Sequence, residues 1–273
     1  EQIHKTSAVI TAAAGRLSRA ASVMGTLLKA EQDTLTLRVD GGGPAGVILA
    51  VADSEGNVKC SPQNSVVELP LNAKGKLDVG GAVGKDGALS VIRELGLKEP
   101  YIGQVPLVSG EIAEDVTEYY AVSEQTPTVC GLGVLVNPDL TVLAAGGFIV
   151  QLLPYADSAV IDTLEANLRT LPPVSSMIRD GMTPEEIVNR VMEGLEPNIL
   201  EEYHPEYRCN CSRERTEAVL RSLGRKELDA MIAEDHGAEV CCHFCNKTYA
   251  FTEAELAALR DSIPENGEDG EEA

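Results

Sequence analysis

Between residues 6 and 29 apolar side chains recur at helical spacing: Val9, Ile10, Ala13, Leu17, Ala20, Ala21, Met24 and Leu28. That period predicts an amphipathic helix. The period then changes. Residues 35–39 alternate as a strand, the glycine-rich stretch 40–46 turns, 47–52 reads as a second strand and 53–56 turns again. Further strands are expected at 66–69, 104–108, 129–136 and 141–153, the last two joined as a hairpin through Asn137, Pro138 and Asp139. Helices are expected near 89–95 and 111–123. Helix and strand mix without a regular βαβ rhythm, so the fold class is α+β.

From Asp157 the pattern becomes helical. Ile161, Leu164 and Leu168 mark a helix over 157–171 that Pro172 and Pro173 stop. Thr183-Pro184-Glu185-Glu186 is a capping box with proline at the first helical position. It opens a helix with Ile187, Val188, Val191, Met192 and Leu195 on one face, ended by Pro197. This stretch is too short for its own core, so its apolar face must lie on a neighbour. The last segment begins near Glu206. Two helices, 213–223 and 226–234, precede two short strands within 239–251, and Thr252-x-x-Glu255 caps a final helix. The expected organisation is an α+β core at 1–155, a helical linker at 156–205, a small C-terminal domain at 206–263 and an acidic, disordered tail at 264–273.

The chain has 273 residues and a formal charge of −21. That balance argues against nucleic acid as partner, because phosphates would be repelled. The apolar stretch 142–153 is too short to span a bilayer and contains Gln151. No signal peptide is found, and a start at Glu1 instead of Met suggests that the chain begins inside the natural protein. Seven cysteines are an odd set for a secreted disulfide scaffold, which makes the reducing cytoplasm the expected address.

Four of those cysteines form two close pairs, Cys209-x-Cys211 and Cys242-x-x-Cys245, about thirty residues apart. Two such turns brought together supply a tetrahedral four-sulfur metal site. Zinc is preferred, since it accepts four thiolates without redox chemistry of its own, and an iron–sulfur cluster is the alternative. Cysteine ligands are also ones that an oxidant can remove, so the site is either a structural clip or a switch. Cys241 is an alternative to Cys242, though in a strand it would point to the opposite face. His236 and His243 lie near enough in sequence to substitute, and read as surface residues.

Other motifs carry less. Gly41-x-Gly43-x-x-Gly46 matches the dinucleotide fingerprint in letters, but a strand follows it where a helix is required, so it reads as a hairpin. No Walker lysine occurs, and no nucleotide is implied. The four histidines, at 4, 204, 236 and 243, leave the body of the chain without a base for Ser-His or Cys-His chemistry. Ser109 reads as a helix N-cap, and Cys130 as a small core residue. No enzymatic activity is expected.

The arrangement resembles the heat-shock protein 33 family of redox-regulated, ATP-independent chaperones over nearly the whole chain. The cysteine pairs are the most specific match. Gly42-Gly43-Pro44-Ala45-Gly46, Val108-Ser109-Gly110-Glu111, Ser123-Glu124-Gln125, Ala145-Gly146-Gly147-Phe148 and the Thr183 capping box look like its other signatures. The family's N-terminal strand region before the first helix is missing here, and Cys241 is extra. The resemblance implies a stress-response holdase. Reduced, Cys209, Cys211, Cys242 and Cys245 would hold one Zn2+ and the protein would be inactive. Oxidised, disulfides Cys209–Cys211 and Cys242–Cys245 would form with zinc release. The C-terminal domain and linker would then unfold and expose apolar surface such as Ile187, Val191 and Leu195 to unfolding client proteins. The active form would be a homodimer, with no role for nucleic acid, membrane or nucleotide. Two other classes stand beside it: a zinc-stabilised interaction protein without a switch, and a thiol oxidoreductase using Cys242-x-x-Cys245.

Overall fold

The computed structural model describes residues 1–264. The chain divides into two compact units, Glu1–Arg208 and a second beginning at Cys209.

The first unit is built around helix α1 (Ala8–Gly25), whose buried positions run almost all round it. Four alanines, Ala12, Ala13, Ala20 and Ala21, are at most 1% exposed, and their small size lets the helix approach its neighbours closely. Around it the chain forms β1 (Thr34–Gly42), β2 (Ile48–Asp53), β3 (Val58–Pro62), the short α2 (Val79–Val83), β4 (Gly84–Glu94), β5 (Tyr101–Pro106), α3 (Ala113–Val122), β6 (Thr128–Val136) and β7 (Val142–Gln151). The first five strands make one sheet in the order β3-β2-β1-β4-β5, every neighbour antiparallel. β1 and β2 alternate buried with half-buried residues, as a sheet with one covered face requires. β6 and β7 pair as a separate hairpin. α1 packs against β2, β3, β6 and β7, so one helix supplies core to both sheets.

The molecule is α+β as expected, with local departures. Of residues 89–95, read as helix, 89–94 belong to β4. Leu89 and Val91 are fully buried while β4 pairs with β1 on one side and β5 on the other. The segment Leu89-Ser-Val-Ile-Arg-Glu-Leu95 fits either period, and pairing on both edges decided it. Residues 66–69 hold no strand; only Val67 is buried there. Its place as the third strand is taken by β3. The first helix is shorter than its apolar pattern, ending at Gly25, where a Cβ would meet the Asp53 carbonyl at 2.5 Å. The glycine-rich stretch after β1 is a turn between strands, as its context required.

Ser109 is not the cap of α3. The N-cap position is Ile112, and Asp115 in the first turn of α3, fully buried, accepts the N–H groups of Val108, Ser109, Gly110 and Ile112 at 2.8–3.3 Å. Ile112 sits at φ +73°, a conformation that a branched residue holds only when its surroundings enforce it. Glu111 in the same loop pairs with Arg16 of α1 and accepts the Gly80 amide, tying loop, α1 and α2 together.

Three helices complete the first unit: α4 (Ser158–Thr170), α5 (Val174–Arg179) and α6 (Pro184–Val191). Asp157 caps α4 through the Ala159 amide, and the Thr183–Glu186 box caps α6 reciprocally. Leu164, Val174, Met177, Ile187 and Val191 form a second core, with Phe148, Val150 and Leu152 of the β7 end packed against it. Gly133 lets α5 lie flat on the hairpin: a Cβ there would stand 2.6 Å from the Ser175 amide nitrogen.

The second unit contains α7 (Arg213–Ser222), α8 (Arg225–Ala230), a π-helical turn over Met231–Asp235, the hairpin β8 (Gly237–Cys241) and β9 (Thr248–Thr252), and α9 (Glu253–Asp261). The expected helix over 226–234 therefore changes winding after Ala230. Among the described residues, six buried side chains form its core: Leu220, Leu228, Tyr249, Phe251, Leu256 and Leu259. Arg213 fastens the elements from outside, with its guanidinium 4.3 Å over Phe251 and bonded to Ala250 and Glu255. The acidic tail from residue 265 on lies outside the described residues.

Candidate metal centre

Each cysteine pair is presented by a turn that the local sequence forces. Cys209 and Cys211 precede α7, where the Ser212 hydroxyl accepts the Arg215 amide and fixes the direction in which the helix leaves. Cys242 and Cys245 lie in the knuckle between β8 and β9. There the Cys242 amide donates to Lys247 and the Asn246 amide to Cys242, with Asn246 at φ +58° closing the turn. Asparagine tolerates that conformation better than most residues.

The fold brings all four sulfurs within 4.8 Å of one another. Cys209 Sγ lies 3.6 Å from Cys242 Sγ, and Cys211 Sγ lies 3.4 Å from Cys245 Sγ. Four thiolates around one zinc at about 2.3 Å stand about 3.8 Å apart. The donor set and its spacing therefore fit a tetrahedral divalent metal. A disulfide, at about 2.05 Å, requires a sulfur to move by more than an ångström from any of these positions.

The four thiols are not equivalent. Tyr249, on β9, donates from its hydroxyl to Cys211 Sγ at 3.2 Å. That bond pulls the Cys211 thiol down to about 7 and pushes the Tyr249 phenol up to about 12. Desolvation pushes Cys245 up to about 12, and raises Cys209 as well. The Tyr249 hydroxyl thus favours the thiolate form of Cys211, whereas burial disfavours it at Cys209 and Cys245.

Cys241 is exposed at the end of β8, opposite Thr248, and lies outside the cluster. His243 is exposed, and His236 pairs with Glu253 at 2.6 Å. Cys60 and Cys130 belong to the first unit, where burial pushes their thiols up to about 11 and about 12, the behaviour of inert core residues. Ile187 and Val191 are buried in the second core of that unit, and Leu195 is packed against it. The sequence reading missed Tyr249. The alternation of Tyr249 and Phe251 directly after the second cysteine pair was the available signal: two aromatics on one face of a strand beside the sulfurs.

Comparison with known proteins follows the same lines. The Hsp33 protein family profile matches residues 1–252. The chain belongs to the Hsp33 family. A 33 kDa chaperonin from Clostridium botulinum (strain Alaska E43 / Type E3) is 48% identical over 258 residues, covering 94% of this chain and 88% of the relative. One from Clostridium tetani is 47% identical over the same length. The crystal structure of the 33 kDa chaperonin (Hsp33 homologue) from Thermotoga maritima superposes with a TM-score of 0.86 at 39% identity. It covers 95% of this chain and 88% of that one. Hsp33 membership makes the chain a chaperone carrying a four-cysteine cluster compatible with a redox switch. Among the described residues no helix is long and apolar enough to cross a membrane.

Proposed function

We propose that the chain is a redox-regulated, ATP-independent holdase of the cytoplasm. The observation that carries this reading is the gathering of four cysteine sulfurs within 4.8 Å inside a unit whose core, among the described residues, has six buried side chains. Zinc, when bound, supplies four bonds that tie the α7 end to the β8–β9 knuckle. Metal binding is worth roughly 10–16 kcal/mol in small zinc domains, against about 5–15 kcal/mol for the whole stability of an ordinary domain. A unit with so small a core depends on it.

Oxidation consumes the ligands. Each disulfide, Cys209–Cys211 and Cys242–Cys245, forms as two thiols give up two electrons and two protons; hydrogen peroxide taking them becomes two waters. The choice of pairs rests on family resemblance. The ligand set then no longer holds the ion, and the second unit loses its cross-links. Unfolding spreads to the segment that carries α4–α6, and Ile187, Val191 and Leu195 become available to unfolding client proteins. The active species is a homodimer, and the −21 charge keeps it soluble.

The test is zinc content, disulfide mapping and suppression of client aggregation, measured before and after peroxide in the absence of nucleotide. One zinc per chain when reduced, and activity only after its release, are expected. Equal activity in both states would remove the switch, and an iron–sulfur absorption spectrum would remove the zinc.

A further inference from the structure

One edge of the five-stranded sheet is already occupied, and by this chain itself. Residues 206–208 run parallel to β3. The Val58 amide donates to the Glu206 carbonyl at 3.0 Å, and the Arg208 amide donates to the Val58 carbonyl at 3.0 Å. The Tyr207 hydroxyl donates to the Cys60 carbonyl at 3.0 Å and accepts the Cys60 amide at 3.2 Å. The Glu206 amide donates to the side-chain oxygen of Asn57, itself only 5% exposed. Beside this edge lies a cavity of about 320 Å3, lined by Ala14, Cys60, Val134, Val142, Ala145 and Tyr207 among others.

Edge strands with open N–H and C=O groups recruit extended chains, main-chain bonds giving affinity and side-chain pockets giving selectivity. Here the built-in occupant shows what fits: a short extended segment with an aromatic residue at its centre. Pro62 ends β3 and has no N–H, so pairing cannot run on beyond it. The groove is thus limited to a few residues, which guards against indiscriminate sheet growth. If 206–208 departs, the Val58 amide and carbonyl, the Cys60 amide and the Asn57 oxygen all lose their partners at once, and such groups need replacements.

We propose that the β3 edge and its cavity form a docking groove for an extended segment of unfolded polypeptide bearing an aromatic side chain, held shut in cis by residues 206–208. The occupant is followed immediately in sequence by Cys209. Opening by oxidation rests on the switch proposed above; the groove itself does not.

The probe is a fluorescently labelled peptide of residues 202–208, titrated by anisotropy into the full chain. Reduced, zinc-loaded wild type, Tyr207→Phe and Tyr207→Ala are compared, followed by oxidised wild type, with zinc content read on every sample. Tyr207 is 42% exposed, so its removal leaves the core intact. Reduced Tyr207→Ala is expected to bind the peptide about tenfold more tightly than reduced wild type, because the cis competitor has lost two hydrogen bonds and its ring. Tyr207→Phe should fall between. A peptide N-methylated at the Arg208 amide should lose about tenfold, since the bond to the Val58 carbonyl is gone. Carboxymethylated lactalbumin, a permanently unfolded chain, should displace the peptide. Equal binding by reduced wild type and Tyr207→Ala, or indifference to N-methylation, overturns the groove. If oxidised protein releases zinc and suppresses aggregation yet binds peptide no better than the reduced form, opening by oxidation is overturned while the switch survives. If zinc stays but reduced Tyr207→Ala gains the peptide, the groove stands and the switch falls.

Discussion

At Cys211 a sulfur positioned for a metal already has a hydrogen-bond donor, and Tyr249 supplies it from the unit's own core. Donors behind the ligands orient them, and their removal typically weakens metal binding by about 10–100-fold. Tyr249→Phe should therefore lower zinc affinity by about tenfold in a chelator competition, with the fold retained. Serine at Cys209, Cys211, Cys242 or Cys245 should cost more. A quarter of roughly 10–16 kcal/mol is about 3 kcal/mol, or about a hundredfold in affinity. Serine at the exposed Cys241 should leave zinc binding unchanged, and retention by Cys242→Ser with loss in Cys241→Ser would reassign the ligand. Cys60 offers a pH prediction free of the metal. Its thiol is raised from 9.0 to about 11 by burial, so the folded state favours the neutral form. That contribution is complete below pH 9 and is lost as pH rises through 11. The difference corresponds to about 3 kcal/mol. Urea unfolding of the first unit should show this alkaline loss in wild type, and a flatter limb in Cys60→Ala. The cysteine pairs were legible at this scale because ligand spacing is local. Tyr249 was not, since the sulfur it bonds lies 38 residues away, and Asp115 was not, since its partners are the amides of an irregular loop that follows no standard cap pattern.

Among the elements, capping chemistry proved the most readable. Thr183 and Thr252 each accept the amide three residues on, as their sequence boxes require, and Ser212 does the same ahead of α7. The misread elements, the helix expected at 89–95 and the strand at 66–69, are those where the apolar pattern was satisfied by two periods or by a single buried side chain. What settled the first of them is the pairing of β4 with β1 and β5, information held partly in residues far away along the chain. The packing of α5 makes its own prediction. Gly133→Ala would put a methyl group against the backbone at Ser175, which cannot yield as a flexible side chain would. The displacement should cost about 1–3 kcal/mol. It should also raise binding of a hydrophobic dye by the reduced, zinc-loaded protein, because Val174 and Met177 lift from the hairpin. Unchanged dye binding and unchanged stability would show that α5 has room to move.

For the molecule as a whole, two units with unequal cores imply two separable transitions. Chelation of the metal from reduced protein should abolish hydrogen-exchange protection in β8, β9 and α9, while amides of β1 and β4 keep theirs. Uniform loss across the chain would mean that the units unfold together and that the metal stabilises both.

Helix α1 also has a history in time. Its partners in the β6–β7 hairpin lie more than a hundred residues later in the sequence. At about 5–20 residues per second, a ribosome needs on the order of ten seconds to deliver them. For that interval one of the most apolar helices of a chaperone is itself an unfinished surface, in need of the protection that the completed protein gives to others.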